Sequence, residues 1–142
     1  MALRFFAVVS LLLAFAGVVQ AQSPLSGDDR AAIRQVIQAQ VDAFKRDDGP
    51  AAFGYASPGI QGMFGTPDLF MDMVRQGYQP VYRPRAFDFR DIVELHGQPA
   101  QTVDVIGPDG RPVTAVYPMR RLPDGTWRID GCYLQAPEHH QA

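Results

Sequence analysis

One carboxylate and three phenols stand out as groups that could do chemistry together: Asp91, Tyr117, Tyr133 and, upstream, Tyr55. An acid and phenols gathered in an apolar setting can hold a small polar-headed ligand or shuttle a proton. Strand alternation is what brings them together. In residues 87–95, Phe87, Phe89, Asp91, Val93 and Leu95 share one face. In residues 113–121, Val113, Ala115, Tyr117 and Met119 share one, and in 126–134 Trp127, Ile129, Gly131 and Tyr133 do. If these are the inner faces, the acid and the phenols converge. Asp91 is the odd member of an apolar row. A carboxylate so placed is paired, at a mouth, or functional. Arg83, Arg85 and Arg90 are close in sequence for pairing, and a β-bulge would turn Asp91 outward. The tyrosines fit equally well as core rings with their hydroxyls at the rim.

Cys132 is the single cysteine, so no internal disulfide is available. It reads as a small buried hydrophobe, as a redox-sensitive or intermolecularly paired thiol, or as a nucleophile. The last needs a nearby base and a lowered pKa, and no Cys/His signature accompanies it. His96 falls in an expected turn. His139-His140 and Asp47-Asp48 are adjacent pairs without a familiar metal spacing, so no metal site is assigned. No cofactor is expected either: there is no phosphate loop, dinucleotide fingerprint or nucleophile elbow.

The elements that must position these groups divide the chain in two. Ser26 is an N-cap with Asp29 three residues on, an acidic form of the capping box. Ile33, Val36, Ile37, Val41 and Phe44 then recur at helical spacing. Gly49-Pro50 ends this helix and opens a short second one through Phe53 and Tyr55. Ser57-Pro58-Gly59 reads as a breaker. Thr66-Pro67-Asp68 caps another helix, with Leu69, Phe70, Met73 and Val74 on its apolar face and Gly77 at its end. Four strands follow, at 87–95, 101–106, 113–121 and 126–134. Turn clusters at 96–99, 108–110 and 123–125 separate them, the last two containing Asp-Gly. Helices first and a meander second predict an α+β domain, with N-terminal helices packed on a curved antiparallel four-stranded meander.

The N-terminus predicts export. Arg4 precedes an apolar run over 5–19, and Val19-Gln20-Ala21 offers small residues where a signal peptidase reads. The run is short for a spanning helix, which needs about 20 apolar residues. Residues 1–21 are therefore expected to be a cleaved signal peptide, 22–136 a single domain and 137–142 a loose tail. The expected address is the periplasm in a Gram-negative host and the exterior otherwise, with no stable membrane anchor after cleavage. Removing Arg4 from the 13 basic residues leaves 12 against 15 acidic ones, or net −3. That balance argues against nucleic acid as a partner.

On the opposite sheet face, Ile92, Ile106, Val116 and Leu134, with Cys132, alternate with the inner set. They predict an apolar patch on which a homodimer could form.

The order of helix, breaker, Pro-capped helix and meander resembles the nuclear-transport-factor-2-like (cystatin-like) superfamily. More narrowly, the chain resembles the bacterial family called domain of unknown function 4864. Gln40-Val41-Asp42-Ala43-Phe44, Asp47-Asp48 with Ala52-Phe53, Phe70 with Met73-Val74 and Tyr78, and Trp127-Arg128-Ile129-Asp130-Gly131-Cys132-Tyr133-Leu134 carry it. The resemblance implies a cone-shaped fold and makes sheet-to-sheet homodimers plausible. It implies no activity. Two function classes remain: a non-catalytic exported module that binds a small molecule or a protein, and a small cofactor-free enzyme (isomerase, cyclase or hydrolase-like) using Asp91 and the tyrosines.

Overall fold

The computed structural model describes residues 24–137. The expected signal peptide of residues 1–21 and the pair His139-His140 lie outside the described residues.

The first helix, α1 (Gly27–Lys45), starts where the capping pattern places it. The Asp29 N–H donates to Ser26 Oγ at 3.0 Å, and the Ser26 N–H donates to the Asp29 carboxylate at 3.2 Å. Two orphan backbone donors are thereby satisfied by one pair of side chains. Ile33, Ile37, Val41 and Phe44 are buried along one face. The helix ends at Lys45, and Asp47, at a φ of 53°, turns the chain into α2 (Gly49–Gly54). Asp48 caps α2 through the Ala51 N–H. Asp47 is held by Arg83 at 2.9 Å, by Arg75 at 3.6 Å and by the Tyr82 hydroxyl. The adjacent aspartates thus anchor helix ends.

Ser57-Pro58 does more than break the chain. Ser57 is itself an N-cap, and Pro58 opens α3 (Pro58–Phe64), a helix absent from the sequence expectation. The same Ser-Pro pair that stops one helix starts the next, because proline at the first position loses no needed N–H. Next come α4 (Pro67–Gly77), capped by Thr66, and a single turn α5 (Gln79–Tyr82).

All pairs of strands in the sheet are antiparallel, and Ala56 adds an isolated parallel bridge to Ile129. Its strands are β1 (Ala86–Leu95), β2 (Gln98–Ile106), β3 (Pro112–Arg121), β4 (Trp127–Ile129) and β5 (Tyr133–Gln135). The order is β1-β2-β3-β4, and β5 also pairs with β3, further along the same edge. The helices precede this meander and pack against it, as expected. His96 and Gly97, both at positive φ (50° and 78°), make the tight turn between β1 and β2.

Two irregularities decide which side chains face inward. In β1, Phe89 pairs with Val103 but Ile92 pairs with Gln101. Three steps on β1 match two on β2, so one extra residue is accommodated and the alternation changes phase. Phe87 and Phe89 face the core, and after the bulge it is Ile92, not Asp91 or Val93, that packs against it. Asp91 and Val93 are exposed. Gln101, fully buried, fastens the bulge by donating from Nε2 to the Arg90 carbonyl at 2.8 Å.

The second irregularity splits the expected fourth strand. Met119 pairs with Ile129 and Val116 with Tyr133. Residues 130–132 therefore stand opposite only Tyr117 and Pro118. The phase changes again, so Leu134, paired with Ala115, joins the inner side and packs on the core.

The outer apolar patch is corrected accordingly. Ile92 and Leu134 turn inward, leaving Ile106 and Val116, of which Val116 is already buried. The patch expected to support a homodimer does not form from the four residues named for it.

The interior consists of two clusters. One lies between α1 and the sheet and includes Ile33, Ile37, Val103, Val105, Tyr117, Met119, Trp127 and Ile129. The other joins α1, α2 and α4 through Phe44, Ala52, Phe70, Met71 and Val74, with Tyr82.

Candidate functional site

A cavity of about 420 Å³ opens at the seam between these clusters. Its helical wall comes from Phe44 of α1, Ile60, Met63 and Phe64 of α3, and Phe70, Met73 and Val74 of α4. Its sheet wall is Tyr117 and Ile129, followed by the kinked link Asp130, Gly131, Cys132 and Tyr133. Gln40 and Tyr78 add two further polar side chains. The lining is mostly apolar with a few polar groups, the usual make-up of a small-molecule site.

The kink exists because β4 and β5 both use one edge of β3. Between them the chain must bulge, and the bulge carries Asp130 and Cys132 to the cavity. Helix α3 contributes to the opposite wall while burying none of its own residues; Met63 is 73% exposed. Its N-terminus is fixed to the sheet. The Ser57 N–H donates to the Ile129 carbonyl at 2.8 Å, and Ser57 Oγ donates to Asp130 at 2.6 Å. Ser57 Oγ also accepts from the Ile60 N–H, as the cap of α3.

Asp130 is the best-connected carboxylate here. Besides Ser57, it accepts from Gln98 Nε2 at 2.9 Å, and Arg120 stands 3.6 Å away. Burial alone would raise its pKa, but the bonds from Gln98 and Ser57 and the charge of Arg120 together hold it below the ordinary carboxylate range. Asp29 is held low as well, first by the Ser26 backbone and side chain, then by Trp127 and Arg121. Both groups have depressed pKa values in the folded state. Their stabilisation is present above the unfolded value of about 4 and is lost as pH falls through the folded ones. The melting temperature should therefore stay level from about pH 7 to pH 5 and fall below about pH 4. A thermal unfolding series followed by circular dichroism checks this; a melting temperature that rises on acidification would contradict it.

Tyr117 and Cys132 behave oppositely. The Tyr117 hydroxyl is fully buried and has no hydrogen-bond partner of normal geometry among the described residues. Burial raises its pKa well above the usual phenol value, and the neighbouring thiol adds to the effect. Burial also pushes the Cys132 thiol up to about 12, against a small opposing contribution from Tyr117. Tyr78 is raised by burial and then by Cys132 and Tyr133. At neutral pH these groups are protonated. They can hold a polar atom, but Cys132 is not a thiolate ready to attack one. Alkylation of Cys132 by iodoacetamide at about pH 8 is therefore expected to run at least about a hundredfold slower than that of an unfolded control. Cys132 is only partly buried, so the expectation rests on its raised pKa; comparable rates, read by intact mass, would contradict it.

The four sequence candidates thus part company. Tyr117 and Tyr133 line the cavity, with Tyr133 54% exposed. Tyr55 packs beside the sheet cluster without lining the cavity, while its carbonyl accepts from the Ile129 N–H at 2.9 Å. Asp91 is displaced by the bulge to the surface, which corrects its expected place beneath the helices. The acid that does reach the cavity is Asp130. Alternation could not find it, because it belongs to the kink. Its neighbours Ile129 and Gly131 gave the only hint, an Asp-Gly step inside a run otherwise read as strand.

Fold and site together define a small α+β domain built around an apolar cavity. The chain belongs to the family described as domain of unknown function (DUF4864), whose model matches residues 26–142. No curated protein and no solved structure matches the chain.

Proposed function

We propose that this domain is an exported, non-catalytic binding module that takes a small, largely apolar molecule into the cavity between α3, α4 and the β4–β5 kink. The observation that carries the reading is the cavity itself: about 420 Å³, lined by aromatic and aliphatic side chains and edged by a few polar groups. Walls of this kind have dispersion contacts left unmade, and an apolar molecule that enters makes them. The ionisable groups fit binding better than catalysis. The thiol and phenol stay protonated, and the Asp130 oxygens already accept from Ser57 and Gln98. The alternative, a cofactor-free enzyme built on Asp91 and the tyrosines, is weakened by Asp91's position at the surface.

The order of helices and meander supports reading the fold as nuclear-transport-factor-2-like. The charge and hydropathy pattern of residues 1–21 supports export, to the periplasm in a Gram-negative host. Titration with N-phenyl-1-naphthylamine, which fluoresces in apolar surroundings, tests the binding reading. A saturable one-to-one enhancement is expected. A signal no larger than that of a surface-exposed control protein would refute it.

A further inference from the structure

We infer that the molecule this cavity takes is uncharged and carries a hydroxyl or N–H group whose proton is accepted by Gln40 Oε1. This rests on the binding reading above and adds the chemistry of the ligand's polar end.

Gln40 is 4% exposed, stands on the buried face of α1 with Ile37, Val41 and Phe44, and borders the cavity. A buried amide needs partners at both ends. One end has its partner: Nε2 donates to the Ala52 carbonyl of α2 at 3.1 Å. Only the amide nitrogen can donate to a carbonyl, so that bond fixes which end is which. Oε1 accepts no bond among the described residues, yet it is not sealed. The enclosed side-chain polar atoms without partners there are Gln101 Oε1, Thr114 Oγ1 and the Tyr117 hydroxyl oxygen. Gln40 Oε1 therefore keeps open surface within a nearly buried residue, and the cavity is the open space that residue borders. An unmatched buried acceptor costs stability, and a donor on a bound molecule completes it.

Asp130 asks for the same sense of bond. Its side chain keeps 17% exposure at the cavity wall. The bonds from Ser57 and Gln98 occupy two of its roughly four lone-pair sites, so it too can accept from a ligand. None of the lining residues is Lys, Arg or His. An anion would therefore meet acceptors and no cation. A cation would give up its water for a neutral amide and a carboxylate whose charge Arg120 offsets from 3.6 Å. An uncharged donor avoids both costs.

The test measures displacement of N-phenyl-1-naphthylamine by four probes of matched body. They are 2-naphthylmethanol (alcohol), 2-ethylnaphthalene (hydrocarbon), 2-naphthoate (anion) and 2-naphthylmethylamine (cation). Each is titrated against the natural protein and Gln40→Met, after direct titration of each protein with the fluorophore. Gln40→Met should weaken the alcohol about tenfold, as loss of one buried hydrogen bond does. The hydrocarbon should change less than about twofold. Gln40→Met also strips the Ala52 carbonyl of its donor, so a second readout uses the natural protein alone. The Gln40 side-chain carbonyl carbon resonance should move with the alcohol and stay in place with the hydrocarbon. Equal losses for alcohol and hydrocarbon, or equal movement of that resonance with both, would overturn the inference and leave the binding reading standing. So would stronger competition by the anion or the cation than by the alcohol. Failure of the natural protein to bind N-phenyl-1-naphthylamine or any of the four probes would overturn both readings.

Discussion

The double variant Ile60→Trp/Met73→Trp is expected to lose at least tenfold in affinity for N-phenyl-1-naphthylamine while remaining folded. Ile60 comes from α3 and Met73 from α4; both line the cavity, and both are half-buried. Enlarging a side chain in a packed interior usually costs about 1–3 kcal/mol through strain. Here the added rings have empty volume to enter, so the cost to stability should sit at the low end or below. The volume they take is the volume a ligand needs. Fluorescence titration reads the affinity, and far-ultraviolet circular dichroism confirms the fold. A folded double variant with unchanged affinity would show that the probe binds elsewhere.

The second large effect concerns the fold that holds the site. Trp127→Ala should destabilise the domain by about 3–5 kcal/mol, the usual range for deleting a buried aromatic side chain. Trp127 is the single tryptophan and is 6% exposed. It sits in the cluster between α1 and the sheet, and its Nε1–H donates to Asp29 at 3.3 Å. Asp29 is also half of the capping box of α1. One ring therefore fills the core and fastens the helix start to β4. Trp127→Phe keeps most of the packing and loses the bond, so it should cost distinctly less. Urea unfolding followed by circular dichroism separates the two. Equal costs would assign the effect to the hydrogen bond, and a cost below about 1 kcal/mol for Trp127→Ala would contradict the burial.

Much of the fold was legible because local signals and global packing agree. Ser26 with Asp29, Thr66 with Pro67, and the Asp-Gly turns each act within a few residues. The sequence patterns that name them are the interactions that form. Ser57-Pro58 shows the limit of such signals: a breaker and a helix start use the same two residues.

The site was harder for a different reason. Strand alternation has period two, so one inserted residue reverses every later assignment. That happened twice. In β1 it exchanged Asp91 for Ile92 on the inner face. At the β4–β5 kink it placed Leu134 inside and brought Asp130 and Cys132 to the cavity. The bulge in β1 carries neither proline nor glycine, and the kink, which contains Gly131 and faces Pro118 of β3, depends like it on pairing with a distant strand. Tyr117 escaped the problem because β3 runs regularly from Pro112 to Arg121 between its neighbours. Asp130 was visible only as part of a motif, without a role. Its role comes from Ser57, 73 residues earlier in the chain.

Methyl chemical-shift mapping with N-phenyl-1-naphthylamine tests the cavity most directly, because it reads place as well as binding. The methyl groups of Ile60, Met63, Met73, Val74, Val81 and Ile129 line the cavity and should shift together, saturating at one equivalent. Those of Val93, Ile106 and Val116, which are outside that lining, should stay where they are. Shifts confined to Val93, Ile106 and Val116, or none at the cavity wall, would contradict the account.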